Sequence, residues 1–499
     1  MMGQVVSTII SAVTMIFIAR VLGAESYGEY TITMIPVSIA MLLQDLGVST
    51  SITRFCANYR QQDDNTRLKE IVWTGILFTL SISTVVSLTL FFASDLISSV
   101  FLLNPRLGYL LKVASFAVLG NGFYSSAQAV FTGYEKMHLR SIIQIIWSIS
   151  RGIFAVALVW LGYGKFGVII SYSLSYLLAG LLGILFVYLF IKFRNGSELV
   201  GFRGILQLLL GFGLPIYAGS LLSSGLSQWY NSLMILNVPT DLIGNYGAAT
   251  NFGVLVSFLT MPIGTVLFPL FSRVDRNDPQ LKLLFDSAVK YTTLLATPIV
   301  ALLILMSSSL IQVIYGLNYP YAALYLSGYL LLFVFEGLGG TSLSYLILGI
   351  GETRVSFISM IVTFIVGVPL SFVLISRYQI LGLIAASIIA PRFGWLFIIF
   401  WMKKNIGFTI DWSGSLKIYG LTIGVFIVSY FVLNFLNLDG WLKLVIGSVL
   451  FFALFFLGLP FTRILNKGAL RELDKVVSVS GPVTPILRYL ISVIRLLTK

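Results

Sequence analysis

The sequence predicts an all-α membrane protein of about fourteen transmembrane helices, built as two related six-helix halves followed by a helix pair. Three observations predict it. First, 58% of the 499 residues are hydrophobic and only 10% are charged, whereas a soluble domain carries roughly a quarter charged residues. Second, the chain contains uncharged runs, including Met1 to Ala19, Ile71 to Ser94, Phe166 to Ile191, Gly204 to Thr240 and Tyr291 to Phe335, each as long as or longer than the ~20 residues that cross a bilayer core. Third, the charges sort by side. The runs are continuously apolar and do not alternate, so they are helices and not barrel strands; a helix satisfies its own backbone in lipid.

Taken in order, span 1 covers residues 3–21 and span 2 residues 30–53, with the short polar segment AESYGEY between them. Span 1 is too long for a secretory leader and has neither a basic lead nor a small-residue cleavage site, so it reads as a retained helix. Span 3 (71–93) follows a basic loop, Arg54 to Lys69, and span 4 (109–132) closes on the turn TGYEKM. Span 5 (141–162) contains Arg151, and span 6 (166–191) is uncharged. After a linker at 192–206 come span 7 (208–236), span 8 (242–271), span 9 (291–314), span 10 (321–348, with Glu336), span 11 (355–376) and span 12 (379–402, with Arg392). Spans 13 (418–436) and 14 (442–461) complete the set before a basic tail at 463–499. The stretches Leu199 to Leu210, Ile464 to Val477 and Ile486 to Leu497 set Lys, Arg or Gln beside apolar residues, as interfacial helices do.

The net charge of +13 does not indicate nucleic acid, because 24 of the 32 Lys and Arg fall on one side when loops alternate from an inside N-terminus. Six lie on or near the outer side and two within spans. This is the positive-inside signature of a multi-pass protein of the cell membrane with both termini cytoplasmic. The single Cys56 excludes an intrachain disulfide and reads as an inert thiol. His138, the only histidine, lies in an inner loop. No metal-ligand spacing and no phosphate-binding glycine loop appears, so ATP is not the direct energy source on this chain. The short outer loops leave no space for a catalytic domain, so the expectation is a transporter and not an enzyme.

An internal repeat organises the spans. AESYGEY (Ala24 to Tyr30) recurs as TDLIGNY (Thr240 to Tyr246), which aligns Gly28 with Gly244 and Tyr30 with Tyr246. Gly133 meets Gly349 at the same offset, and Gly167 meets Gly382 one residue out of step. The expected domains are an N-terminal half at 1–191, a second half at 207–403, the helix pair at 404–462 and the tail. An even number of spans per half gives both the same orientation, the arrangement of alternating-access carriers whose substrate site lies between parallel repeats.

The runs ARVLGAESYGEY, QDLGVSTSITRF, FTGYEKM, IGNYGAA and YQILGLIAASII resemble the polysaccharide-exporter family of the multidrug/oligosaccharidyl-lipid/polysaccharide transporter superfamily. The likeness covers nearly all the chain, although its motifs are loose patterns. The chain departs from such proteins at its start, where Met1 stands at the edge of span 1 without a short polar lead. The resemblance implies a flippase that moves an isoprenoid-diphosphate-linked glycan from the inner to the outer leaflet, with membrane lipids around it and glycan polymerase or ligase machinery as candidate partners. Rival readings within the superfamily are a cation-coupled multidrug exporter and a peptidoglycan-precursor flippase.

Ionisable residues inside spans cost roughly 2.5 to 3.5 kcal/mol at a helix centre and mark function by default. Arg151 and Arg392 are the candidates for receiving a diphosphate, since guanidinium forks pair with phosphate oxygens; an inter-helix salt bridge with Glu336, or a bond to a polar neighbour, is the structural alternative. Glu336 is a candidate for a coupling ion, Na+ or H+, or for a charge partner, and Gly337, Gly339 and Gly340 beside it predict a bend. Arg20, Asp45 and Arg54 sit nearer span ends, where the arginines are further candidates for the diphosphate cavity and Asp45 for ion coupling or charge pairing, against anchoring or capping; Asp45 and Arg54, nine residues apart, are expected to share a face of span 2. Gln4, Asn121, Gln128, Gln144, Gln228, Asn231 and Asn251 supply amides for sugar hydroxyls or for gluing helices. Tyr and Trp near span ends read as interfacial belt residues before sugar platforms.

Overall fold

A computed structural model describes residues 2–62, 64–190, 201–256, 267–274, 276, 278–407, 410–438 and 440–462. The basic tail, part of the 192–206 linker and part of span 8 lie outside these residues. Helices make up nearly all of what is described: α1 Met2–Gln44, α2 Val48–Gln61, α3 Asn65–Phe92, α4 Ser94–Val100, α5 Gly108–Gly133, α6 Met137–Trp160, α7 Gly164–Phe190, α8 Phe202–Asn237 and α9 Thr240–Thr250. The chain continues with α10 Pro279–Tyr315, α11 Ala322–Val334, α12 Gly340–Gly349, α13 Thr353–Asn405, α14 Ser413–Phe435 and α15 Gly440–Gly458. Among the described residues nine helices are long and apolar enough to cross a membrane, or ten with the bent pair α11 and α12 counted as one span.

Two of the nine cover more than one expected span. An unbroken helix of 53 residues such as α13 would extend ~80 Å at 1.5 Å per residue, far beyond the ~30 Å bilayer core. It breaks at Gln379, whose φ is 51°, and the chain folds back there: a Cβ on Gly382 would lie 2.0 Å from the Leu374 carbonyl oxygen. In α1 the break is at Gly23, with φ 74° and ψ 170°. The segment Ala24 to Tyr30, expected as a loop, is therefore helical and begins the second limb of α1. Span 2 also differs from expectation. Leu46 and Gly47 take positive φ, and the helix stops before restarting as α2, so Asp45 and Arg54 do not share one helical face.

The chain forms two compact units. The first comprises 1–254, 318–321 and 360–391, and the second 255–317, 322–359 and 392–499. In the first, a core of Ile52, Ile71, Ile76, Phe131, Ile143 and Leu209 joins α2, α3, α5, α6 and α8. The second unit has one core around Phe271, Phe285, Leu343 and Met402 and another around Met306, Leu433, Phe451 and Phe455. Large apolar side chains also cover the outside, with Trp160 at 85% and Phe435 at 89% exposure. In water such a surface would drive association, and in lipid it is the solvated face. Many hydroxyls are satisfied within their own helix, as where Thr14 donates to the Ile10 carbonyl at 2.8 Å and Thr33 to the Glu29 carbonyl at 2.7 Å.

The repeated segments meet inside the first unit. A Cβ on Gly28 would fall 2.0 Å from the Thr240 carbonyl oxygen, and one on Gly244 would fall 1.8 Å from that of Ala24. Ala24 and Thr240 are themselves repeat equivalents, so the contact is reciprocal. Only glycine lets the two backbones approach so closely. The other matched glycines also share their surroundings. Gly133 abuts Cys56 and Thr53 on α2, and Gly349 abuts Phe271 and Ser272; Ser272 is the position reached from Cys56 by adding the repeat offset.

Candidate functional site

The first unit places Arg151 at the middle of α6, 7% exposed. Its guanidinium donates to the Tyr30 hydroxyl at 3.0 Å and lies 2.9 Å from the Met15 sulfur. Two rings face it, Tyr172 at 4.9 Å and Trp147 at 5.6 Å. Among the described residues no carboxylate pairs with it, and its Nε is buried without a hydrogen-bond partner. A cation so placed is held by π faces, one phenol and a thioether sulfur, and its Nε–H is left over. Among the described residues Arg151 has no salt bridge, but its bond to Tyr30 of α1 is the polar-neighbour form of the structural alternative.

In the second unit Glu336 and Arg392 come together at the broken span. Between α11 and α12 the chain runs as a 3-10 turn, Phe335–Leu338, and then bends by 50° at Gly339, whose φ of 92° disfavours any other residue. The bend expected from the glycines is present. Glu336 sits in this turn and caps α12: its Oε2 accepts the Thr341 amide at 2.8 Å and the Thr341 hydroxyl. A carboxylate at that position also meets the positive end of the helix dipole. The carbonyls freed by unwinding find new donors, Val334 from the Tyr419 hydroxyl and Gly337 from Thr293 at 2.6 Å, as backbone in a membrane must. Arg392 stacks on the Phe335 ring at 3.9 Å and is within electrostatic reach of Glu336 and Tyr419.

The remaining candidates take local roles. Asp45 accepts the Ser49 amide at 3.2 Å and the Ser49 hydroxyl at 2.5 Å, which fixes the first turn of α2; this is the capping alternative. Arg54 is exposed and stacks on Phe212 at 3.9 Å, while Arg20 is exposed on α1. Neither they nor Asp45 are among the partners of Arg151. Gln128 exchanges hydrogen bonds with Arg140, accepting from Nε at 3.1 Å and donating to its carbonyl at 3.2 Å. Asn251 donates to the Tyr27 hydroxyl at 3.0 Å, and Asn231 to Gln228 at 3.4 Å. These amides join or trim helices. Asn121 is half-buried in α5. Burial pushes the Cys56 thiol up to about 12, which makes it unreactive.

Sequence reasoning missed the rings around Arg151 and the ion pair between Glu29 and Lys165. The signal for the rings was available: Trp147 and Arg151, and Tyr172 and Tyr176, are each four residues apart, hence on one face of a helix, and they stand mid-span.

Long apolar helices in two compact units, broken spans with re-satisfied backbone, and unmatched charges at mid-helix define a helical membrane transporter. Among solved structures the chain is similar to a lipid II flippase MurJ in an inward closed conformation, with TM-score 0.73 and 17% identity over 91% of this chain and 97% of that one. It is also similar to an inward-facing multidrug resistance MATE family transporter of the MOP superfamily, with TM-score 0.67 and 17% identity over 80% of this chain and 94% of that one. The chain belongs to the family of polysaccharide biosynthesis proteins whose model matches residues 17–323. Its relatives include stage V sporulation protein B of Bacillus subtilis, 21% identical over 94% of this chain and 95% of the relative. The putative O-antigen transporter of Shigella flexneri is 23% identical over 76% of this chain and 90% of its own length.

Proposed function

We propose that this protein is a flippase that carries an isoprenoid-diphosphate-linked glycan from the inner to the outer leaflet by alternating access, in a cell membrane with both termini in the cytoplasm. The observation that carries the reading is Arg151, a buried mid-helix guanidinium held by aromatic rings and a phenol and paired with no described carboxylate. Keeping an arginine unneutralised at that depth is costly, and an anionic cargo explains the cost. A relative named as an O-antigen transporter and the membership in the polysaccharide family support a glycan on that anion.

In this reading the two repeats rock about a site between them while the lipid tail stays in the bilayer. The membrane potential is a sufficient drive: two negative charges leaving a negative interior gain roughly 4.6 kcal/mol per 100 mV when uncompensated. Coupling to Na+ or H+ is the second reading, favoured by Glu336 at the break between α11 and α12, where its charge state bears on the cap of α12. Collapsing the potential in reconstituted vesicles separates the two, since flipping driven by voltage alone then stops while an ion gradient does nothing. A drug exporter of the MATE type would bind organic cations, against which Arg151 argues. The deciding experiment is deletion of the gene: lipid-linked glycan accumulates on the inner leaflet and is cleared by the wild-type chain but not by Arg151→Ala. Normal outer-leaflet glycan in a deletion strain without a second exporter overturns the assignment.

A further inference from the structure

The aromatic residues beside Arg151 do not sit where a membrane protein keeps its interfacial rings. Trp160, at the end of α6, is almost fully exposed and belongs to such a belt. Trp147 is ten residues inside α6, about 15 Å from the helix start. It packs with Tyr176 of α7 at 5.2 Å and Tyr124 of α5 at 6.2 Å. Tyr124 and Tyr176 close the triangle at 5.6 Å, and Tyr172 adds a fourth ring 5.0 Å from Tyr176. All four rings are only half-buried, so the cluster is not a core filled to capacity.

Its donors are also unspent. The indole N–H of Trp147 is buried with no hydrogen-bond partner, and so is the Nε–H of Arg151 one helical turn away. A buried donor left unpaired costs roughly 1–3 kcal/mol, and a tryptophan that only fills space is normally placed where its N–H finds an acceptor. Two such donors among partly exposed rings suit a ligand that offers both acceptor oxygens and a C–H face. The negative face of an aromatic ring attracts polarised C–H groups, and a pyranose presents these on one side and hydroxyl oxygens at its rim.

We propose that Trp147, supported by Tyr124, Tyr172 and Tyr176, is a carbohydrate platform next to Arg151, so that this face reads the first sugar attached to the diphosphate while Arg151 reads the phosphate. Trp147 is then a specificity-determining residue. The inference rests on the flippase reading and narrows it, because a site for the diphosphate alone has no use for the rings.

The test uses the full chain in lipid nanodiscs and two probes, a polyprenyl diphosphate and the same lipid carrying one N-acetylglucosamine. The wild type is expected to bind the glycosylated probe at least tenfold tighter. Trp147→Phe, which keeps a ring and removes the N–H, should reduce that preference severalfold; Trp147→Leu should abolish it; Arg151→Gln should weaken both probes alike. Thermal unfolding of each variant confirms that it is folded. If the wild type binds both probes equally, or both Trp147 variants keep the wild-type preference, the platform is overturned and the two donors serve a resident water only. If the wild type binds neither probe, the flippase reading falls, and this inference with it.

Discussion

Arg151 and Arg392 are the same side chain inside the same membrane protein, and their surroundings treat the charge in opposite ways. In the first unit Arg151 is buried among rings with the Tyr30 phenol and the Met15 sulfur as hydrogen-bond partners. In the second unit Arg392 is partly exposed, lies against Phe335 and has within electrostatic reach Glu336, which in turn caps a broken helix. A carboxylate within reach of the charge, beside a bend, suits a part that moves. An unbalanced guanidinium suits a part that receives. The two arginines were assigned one role from sequence, and the contrast separates them.

The largest expected effect comes from removing the unbalanced charge. Arg151→Ala should reduce glycan translocation at least tenfold with only a modest fall in melting temperature, because charged hydrogen bonds to a ligand contribute ~1.5–3 kcal/mol each; equal loss from Arg392→Ala with no stability change would erase the contrast. Next, a double-mutant cycle on Glu336→Gln and Arg392→Gln should give a coupling of ~0.5–3 kcal/mol in unfolding free energy, the range for residues sharing a network. Additivity there would mean that Arg392 is no more balanced than Arg151. Third, Thr341→Val, which leaves Glu336 with the amide alone, should destabilise the protein by ~0.5–2 kcal/mol, as the loss of a cap does, and hydrogen exchange should quicken first at α12. Tyr30→Phe should be milder, about 1 kcal/mol for one hydrogen bond, with transport slowed and not lost.

The smallest effect lies outside the membrane. At the start of α14 the Ser413 hydroxyl, and after it the Ser413 amide at 2.9 Å, donate to Asp411 and hold its carboxyl below the usual carboxylate range. A depressed carboxyl stabilises the fold above its unfolded value and loses that contribution as pH falls through its folded one. Hydrogen exchange at the first turn of α14 should therefore quicken only in strongly acidic solution, and Asp411→Asn should flatten that pH dependence.

How much of this was legible in the sequence follows from physics that acts locally or at a distance. Apolar length and the positive-inside count gave the membrane class, because both depend on neighbouring residues only. The bend at Gly337 to Gly340 was legible for the same reason. The break at Leu46 and Gly47 was not, since Leu46 gives no signal for positive φ, and the face-sharing of Asp45 and Arg54 was lost with it. The partner of Arg151 was out of reach: Tyr30 lies 121 residues away in the chain, and no periodicity links them. Trp147 failed for another reason. Aromatic residues were weighed only near span ends, where a belt is expected, whereas this one stands ten residues inside α6.

The crossing of Gly28 with Thr240 and Gly244 with Ala24 has the form of an isologous interface, in which one patch meets its own copy about a two-fold axis. Here the two copies are carried on one polypeptide. A dimer keeps such a patch self-complementary automatically, because both copies come from one gene sequence and change together. A fused chain has no such protection, and each glycine can be lost separately while its counterpart remains. The two positions are therefore inherited as a single constraint: the halves are free to diverge around Arg151 and Glu336, but at this crossing each is answerable to the other.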